Sequence, residues 1–298
     1  MWALKNKRSL TTFPLLLRDA FREFQLNDPL RMAAATAFFA SFALPPILII
    51  LSEVFGFFGD PRTIRHDLFE QLGNVMDKKT VLQVRETLRN IHYLSLSWGM
   101  KVGGFIFLLF VASTLFTIIK NSLNQLWKIK LKKRERILST LLYRAKSIGI
   151  IIIAGLLFFV VVLADTKGWL LQKFFFHLVS LLAVMTWFML ILRYLADGRT
   201  PWKIAVGGGI FTGLLFTLGK ALLHFLLSFN KVQTIYGAST ALVLLLLFIF
   251  YSSFIFYYGA CFTKSLADYF KQPILPTRNA VRYTLESIEW EPEGLKEH

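Results

Sequence analysis

Apolar residues run through this chain in long stretches, broken by short polar and charged segments. The runs cover 32–58, 98–119, 148–164, 174–193, 204–229 and 236–263, the third being the shortest. About 20 mostly apolar residues are needed for a helix to cross a hydrocarbon layer roughly 30 Å thick. The pattern therefore predicts an all-α membrane protein, a bundle of six transmembrane helices. Residues 1–31 form an amino-terminal segment, 32–263 the six-span domain and 264–298 a flexible tail. Within the first segment, Leu10, Phe13, Leu17, Ala20, Phe21 and Phe24 recur at helical spacing. They predict an interfacial helix over 10–24 lying flat at a membrane surface, capped by Thr12 with Pro14 in its first turn, with a plain pre-membrane elbow as the competing reading.

The pattern also marks irregularities. Pro45 and Pro46 stand side by side in the first span. Two adjacent prolines remove two backbone donors and crowd the preceding turn, so this span is expected to kink or break. The loop 59–97 repeats apolar residues at helical spacing on either side of Gly73-Asn74 and Asp77-Lys78-Lys79-Thr80. It reads as a pair of short amphipathic helices forming an outer cap.

Charge fixes an expected orientation. Of the 34 Lys and Arg residues, most fall in 1–31, 120–147, 193–203 and 264–298. Because Lys and Arg collect on the cytoplasmic side, both termini are expected inside, in a multi-pass protein of the bacterial inner membrane. The inner loop 120–147 is the most basic part, with six basic residues and one acid between Lys128 and Arg136. The net charge of +16 would point to nucleic acid in a soluble protein. Here topology accounts for it, and no nucleic-acid partner is expected. The same basic collar attracts anionic lipid headgroups. One cysteine, Cys261, excludes an internal disulfide, and the five histidines have no ligand spacing, so no metal or cofactor is expected. No phosphate-binding glycine loop, no H-E-x-x-H and no nucleophile with an evident base is present, so an enzyme is not expected.

The fifth span carries the most specific chemistry. Ala205, Gly209, Gly213, Thr217, Lys220 and His224 fall on one helix face. Gly209 and Gly213, with Gly237 at the start of the last span, suit close helix packing. A lysine within a span costs at least ~2.5 kcal/mol on insertion scales and commonly faces protein or water. Against that stands snorkelling of Lys220 to the outer interface. The candidate substrate-binding set is Lys220, His224 and Thr217, with Asn121, Asn124, Arg144, Arg199 and Tyr236. It predicts a polar cavity between spans for an anionic amphiphile, a lipid being the expected cargo. The competing reading is a non-transporting scaffold with a homo-oligomeric or envelope-protein partner, and an enzyme stands third.

Several stretches in order resemble the YihY/BrkB family of bacterial inner-membrane proteins. They are Ala33 to Phe39 leading to Leu44-Pro45-Pro46, then Leu123-Asn124-Gln125-Leu126-Trp127, then Arg199-Thr200-Pro201-Trp202, and finally Tyr236-Gly237-Ala238 with Tyr251 and Gly259-Ala260. The resemblance covers about 15–265 and implies a six-span membrane protein linked to the envelope and lipid handling. A ribonuclease label once attached to the family is regarded as mistaken. The family often has Gly-Ala-Glu where this chain has Gly259-Ala260-Cys261, which removes any universal ion-coupling role for that carboxylate.

Overall fold

The computed structural model describes residues 2–56, 98–132, 170–228 and 240–284. Six helices make up most of these: α1 (Trp2–Gln25), α2 (Pro29–Gly56), α3 (Trp98–Leu126), α4 (Leu170–Tyr194), α5 (Trp202–Ser228) and α6 (Thr240–Tyr269). Four short strands accompany them: β1 (Ile129–Leu131), β2 (Gly198–Arg199), β3 (Leu275–Pro276) and β4 (Ala280–Arg282). Five of the expected spans coincide with helices α2 to α6. The remaining one, 148–164, and the loop 59–97 lie outside the described residues.

Among the described residues, two stretches, Trp202–Leu223 and Val243–Tyr269, are long and apolar enough to cross a membrane, and Leu178–Tyr194 is a shorter apolar helix. Helix α2 is continuous past Pro45 and Pro46 to Gly56, so of the kink or break expected there the chain does not break. Helix α1 begins at Trp2 rather than near residue 10, which places Pro14 inside it. There the ring forgoes one backbone hydrogen bond.

Local chemistry sets the first helix boundary. The Asn27 side chain donates to the Glu23 carbonyl at 2.7 Å, satisfying one of the open acceptors at the end of α1. Asp28 then takes a left-handed conformation, φ 51°, and Pro29 opens α2 at the position where a missing N–H costs nothing. The chain thus turns in three residues, and α1 packs against α6. Phe24 meets Phe254 and Tyr258 edge-on, Phe13 meets Phe262, and the Tyr258 hydroxyl donates to the Leu17 carbonyl.

Helices α5 and α6 are antiparallel and pack through a reciprocal pair of small residues. A side chain at Gly208 would overlap Thr263, and one at Gly259 would overlap Thr212. Each threonine turns its hydroxyl back onto the carbonyl of the glycine one turn earlier in its own helix, Thr212 to Gly208 and Thr263 to Gly259. No polar group is left open at this close approach. Small residues suit such contacts because they let backbones come together. Farther along, the Tyr251 ring occupies the space that a side chain at Gly219 would need. On its other flank α5 meets α4: a Cβ at Gly209 would stand 2.6 Å from Met189 Cβ, and one at Gly213 2.7 Å from Met185 Cγ. Tyr257, fully buried, joins three helices by sharing hydrogen bonds with Thr36 of α2 (2.7 Å) and Ser122 of α3.

One end of the bundle is closed by the strands. β1 pairs antiparallel with β4, and β2 with β3. The expected flexible tail after 264 is instead ordered as far as residue 284. Helix α6 runs on to Tyr269, Lys271 turns the chain with φ 54°, and β3 and β4 return across the end of α3 and the α4–α5 turn. Ile274 and Ala280 are buried there, in the same apolar cluster as Trp127 and Ile129. Burying those side chains is what holds the segment down.

Candidate functional site

The stripe on α5 divides in two. Ala205, Gly209 and Gly213 are buried, the glycines against α4. Thr217 is half-buried, and its hydroxyl donates to the Gly213 carbonyl at 2.8 Å. Lys220, for which the sequence leaves both a cavity-facing and a snorkelling placement open, is exposed. It stands 18 residues beyond Trp202, or about 27 Å at 1.5 Å per residue. Beside the stripe, Val206, Ile210, Leu214, Leu218 and Leu222 form an exposed apolar ridge at every fourth residue. The side chains of His224, Pro45 and Pro46 are outside those described. Arg144, Tyr236 and Gly237 lie outside the described residues altogether.

Asn121 and Asn124, expected to act together, separate: Asn121 is exposed and Asn124 buried. Asn124 belongs to a network centred on Asp197, in the turn between α4 and α5. Its amide nitrogen donates to Asp197 Oδ2 at 2.8 Å, and its carbonyl oxygen accepts from the Asp197 backbone N–H at 2.9 Å. Lys120 Nζ lies 2.8 Å from Asp197 Oδ1, with the two side chains only 8% and 12% exposed. The Asp197 carbonyl in turn accepts from Thr277 N–H at 2.9 Å. One aspartate thereby ties α3, the α4–α5 turn and the tail strands together. Burying a charged pair costs several kcal/mol for each ion, so such a pair persists only when its other hydrogen bonds are also made.

A second ionic cluster anchors α1. Glu23 accepts from Lys264 Nζ at 2.6 Å, and Lys128 stands at 3.5 Å. Burial alone pushes the Glu23 carboxyl up. The hydrogen bond and charge of Lys264, joined by Lys128, more than offset this and hold it below its ordinary value.

A third group lies where α4 passes into α5. The Arg193 guanidinium stacks 4.0 Å over the Trp202 ring and 5.5 Å from that of Tyr194, and Arg193 donates to the Thr200 carbonyl. Its Nε is buried without a hydrogen-bond partner. Arg199 and Lys203, near Trp202 in the chain, are exposed.

Sequence reasoning named Asn124 and Arg199 but missed Lys120, Asp197, Glu23 and Arg193. Lys120 and Asp197 are 77 positions apart and share no motif. The available signal was the lone acid Asp197 in the basic segment 193–203. Among the described residues, no three His, Cys, Asp or Glu side chains gather to hold a metal ion.

Long apolar helices joined through glycine and threonine, with the ionic clusters of the described residues gathered at one end, have the build of an α-helical membrane protein. The particular kinship follows from comparison. The family described as virulence factor BrkB matches residues 20–283, and the chain belongs to that family. It is 26% identical over 283 residues to a UPF0761 membrane protein of Saccharophagus degradans, covering 90% of this chain and 64% of that one. A UPF0761 membrane protein of Teredinibacter turnerae is 24% identical, with the same coverage of both chains. A UPF0761 membrane protein of Haemophilus influenzae is 24% identical over 267 residues, 87% of this chain and 97% of its own length. The chain thus spans less than two thirds of the first two relatives. No solved structure matches.

Proposed function

We propose that this protein moves an anionic amphiphile, most simply a lipid, across the bacterial inner membrane, along the lipid-facing flank of the bundle rather than through its centre. The observation that carries the reading is the placement of Lys220. It is exposed at the far end of an apolar helix face, about 27 Å from Trp202 at 1.5 Å per residue. The glycine and threonine contacts of α5 leave its inner faces closed against α4 and α6. A cation on the outer face can meet a headgroup there and neutralise its charge while the acyl chains stay in lipid. In this reading both termini are cytoplasmic, and the strand-closed end, with Lys128, Lys130, Arg199 and Lys203, faces the cytoplasm. No nucleotide, metal or nucleic acid takes part.

A second reading draws on the ordered tail. Residues 272–284 are bound to the helix ends by two strand pairs, a surface on which a scaffold could present a partner-binding face. The two readings separate in one assay. Purified protein is reconstituted with a labelled anionic lipid and a labelled zwitterionic one, and the change in outer-leaflet accessibility is followed. Transport predicts movement of the anionic lipid that Lys220→Ala slows at least several-fold. A scaffold predicts no movement above empty vesicles.

A further inference from the structure

We infer that the α4–α5 turn is a binding site for the phosphate of an anionic phospholipid, built from Arg193, Arg199 and Lys203 around Trp202. Four observations converge on it. None of the three cations has a carboxylate partner among the described residues, whereas Lys120, Lys128 and Lys264 all do. Three cations without a carboxylate partner fall within eleven residues, and an anion bound among them would supply the missing counter-charge. Arg193 is pre-positioned: its guanidinium is stacked on Trp202, one N–H is committed to the Thr200 carbonyl, and Nε is without a partner. A stacked arginine gives up little side-chain freedom on binding phosphate, and its planar fork suits two phosphate oxygens.

The neighbourhood selects a lipid over free phosphate. Trp202 is 51% exposed, and indole is enriched at the level of headgroups. One turn further into α5 the exposed ridge of Val206, Ile210, Leu214, Leu218 and Leu222 begins. It offers acyl chains a continuous apolar track of about 24 Å at 1.5 Å per residue. A charged head above a long apolar track matches an amphiphile of two parts. In the transport reading, on which this role rests, the site is where cargo loads; binding itself does not depend on that reading.

The test is lipid retention by the full chain in detergent, followed by native mass spectrometry while phosphatidylglycerol, phosphatidylcholine or inorganic phosphate is added. The expected result is preferential retention of phosphatidylglycerol. Arg199→Gln with Lys203→Gln should weaken it roughly 30-fold, at about 1 kcal/mol for each basic residue near an anionic surface. Both side chains are exposed, so the fold should survive, and an unchanged thermal midpoint confirms it. Arg193→Lys, which keeps the charge but loses the stacked fork, should weaken retention further. Equal retention of both lipids, no effect of the double variant, or saturation by inorganic phosphate alone would each overturn the inference. Selective retention without translocation in vesicles would leave the site standing and reject the transport reading.

Discussion

Asp197 shows how much one residue can organise. Four hydrogen-bonding or ionic contacts converge on it, from Lys120, twice from Asn124 and from Thr277. Removing the carboxylate deprives the buried Lys120 of its counter-charge. Asp197→Leu is therefore expected to cost about 3 kcal/mol, read as a lower thermal midpoint in detergent. Adding Lys120→Met should restore part of that loss, because a buried pair replaced by apolar groups of similar size is often tolerated. If the double variant is no more stable than the single one, the ionic partnership is not what matters. Glu23 sets a pH dependence of the opposite kind from a raised group. Its folded carboxyl lies below the ordinary value of 4.5, so its contribution is complete above that pH and is lost as pH falls through the lower, folded value. The attachment of α1 should hold at pH 6 and loosen as pH falls below 4.5, and Glu23→Gln should flatten that step. Thermal midpoints measured across this range decide the matter.

Among the elements, helix contact rather than sequence motif decides what a glycine is for. Gly208 and Gly259 sit beneath threonines of the facing helix, so an alanine at either would collide with Thr263 or Thr212. Gly259→Ala should cost about 1–3 kcal/mol by overpacking. Gly103 has nothing within 4 Å of the same added atom, and Gly103→Ala should be neutral or stabilising by up to about 1 kcal/mol through helix propensity. Equal effects at the two sites would show that the α5–α6 contact is not close-packed. Helices α2 to α6 were legible in the sequence because each is a long apolar run, and a run needs no knowledge of its neighbours. The start of α1, the continuity of α2 past Pro45 and Pro46, and the return of the tail were not. The tail strands exist only because Ile129, Gly198, Ile274 and Ala280 meet in three dimensions. A Cβ at Gly198 would come within 2.7 Å of Ile129 and 2.8 Å of Ile274, a fit between segments far apart in the chain.

Across the described residues, the ionic clusters gather at the strand-closed end. The ionic networks of Asp197 and Glu23 lock the strand-closed end, while the inner faces of α5 are filled by α4 and α6. The sequence showed which helix carried the unusual lysine but not which way it faced. Gly209, Gly213 and Lys220 share a stripe, yet α4 covers the glycines and leaves the lysine exposed. Helix periodicity defines a face; only packing determines whether that face is inside. The central claim, that this BrkB-family membrane protein carries an anionic lipid along its outer flank, is tested most directly by the accessibility of a labelled anionic lipid in proteoliposomes. Movement should be faster than in empty vesicles, selective over a zwitterionic lipid and slowed at least several-fold by Lys220→Ala. Movement no faster than in empty vesicles, with the protein folded and uniformly inserted, would contradict it.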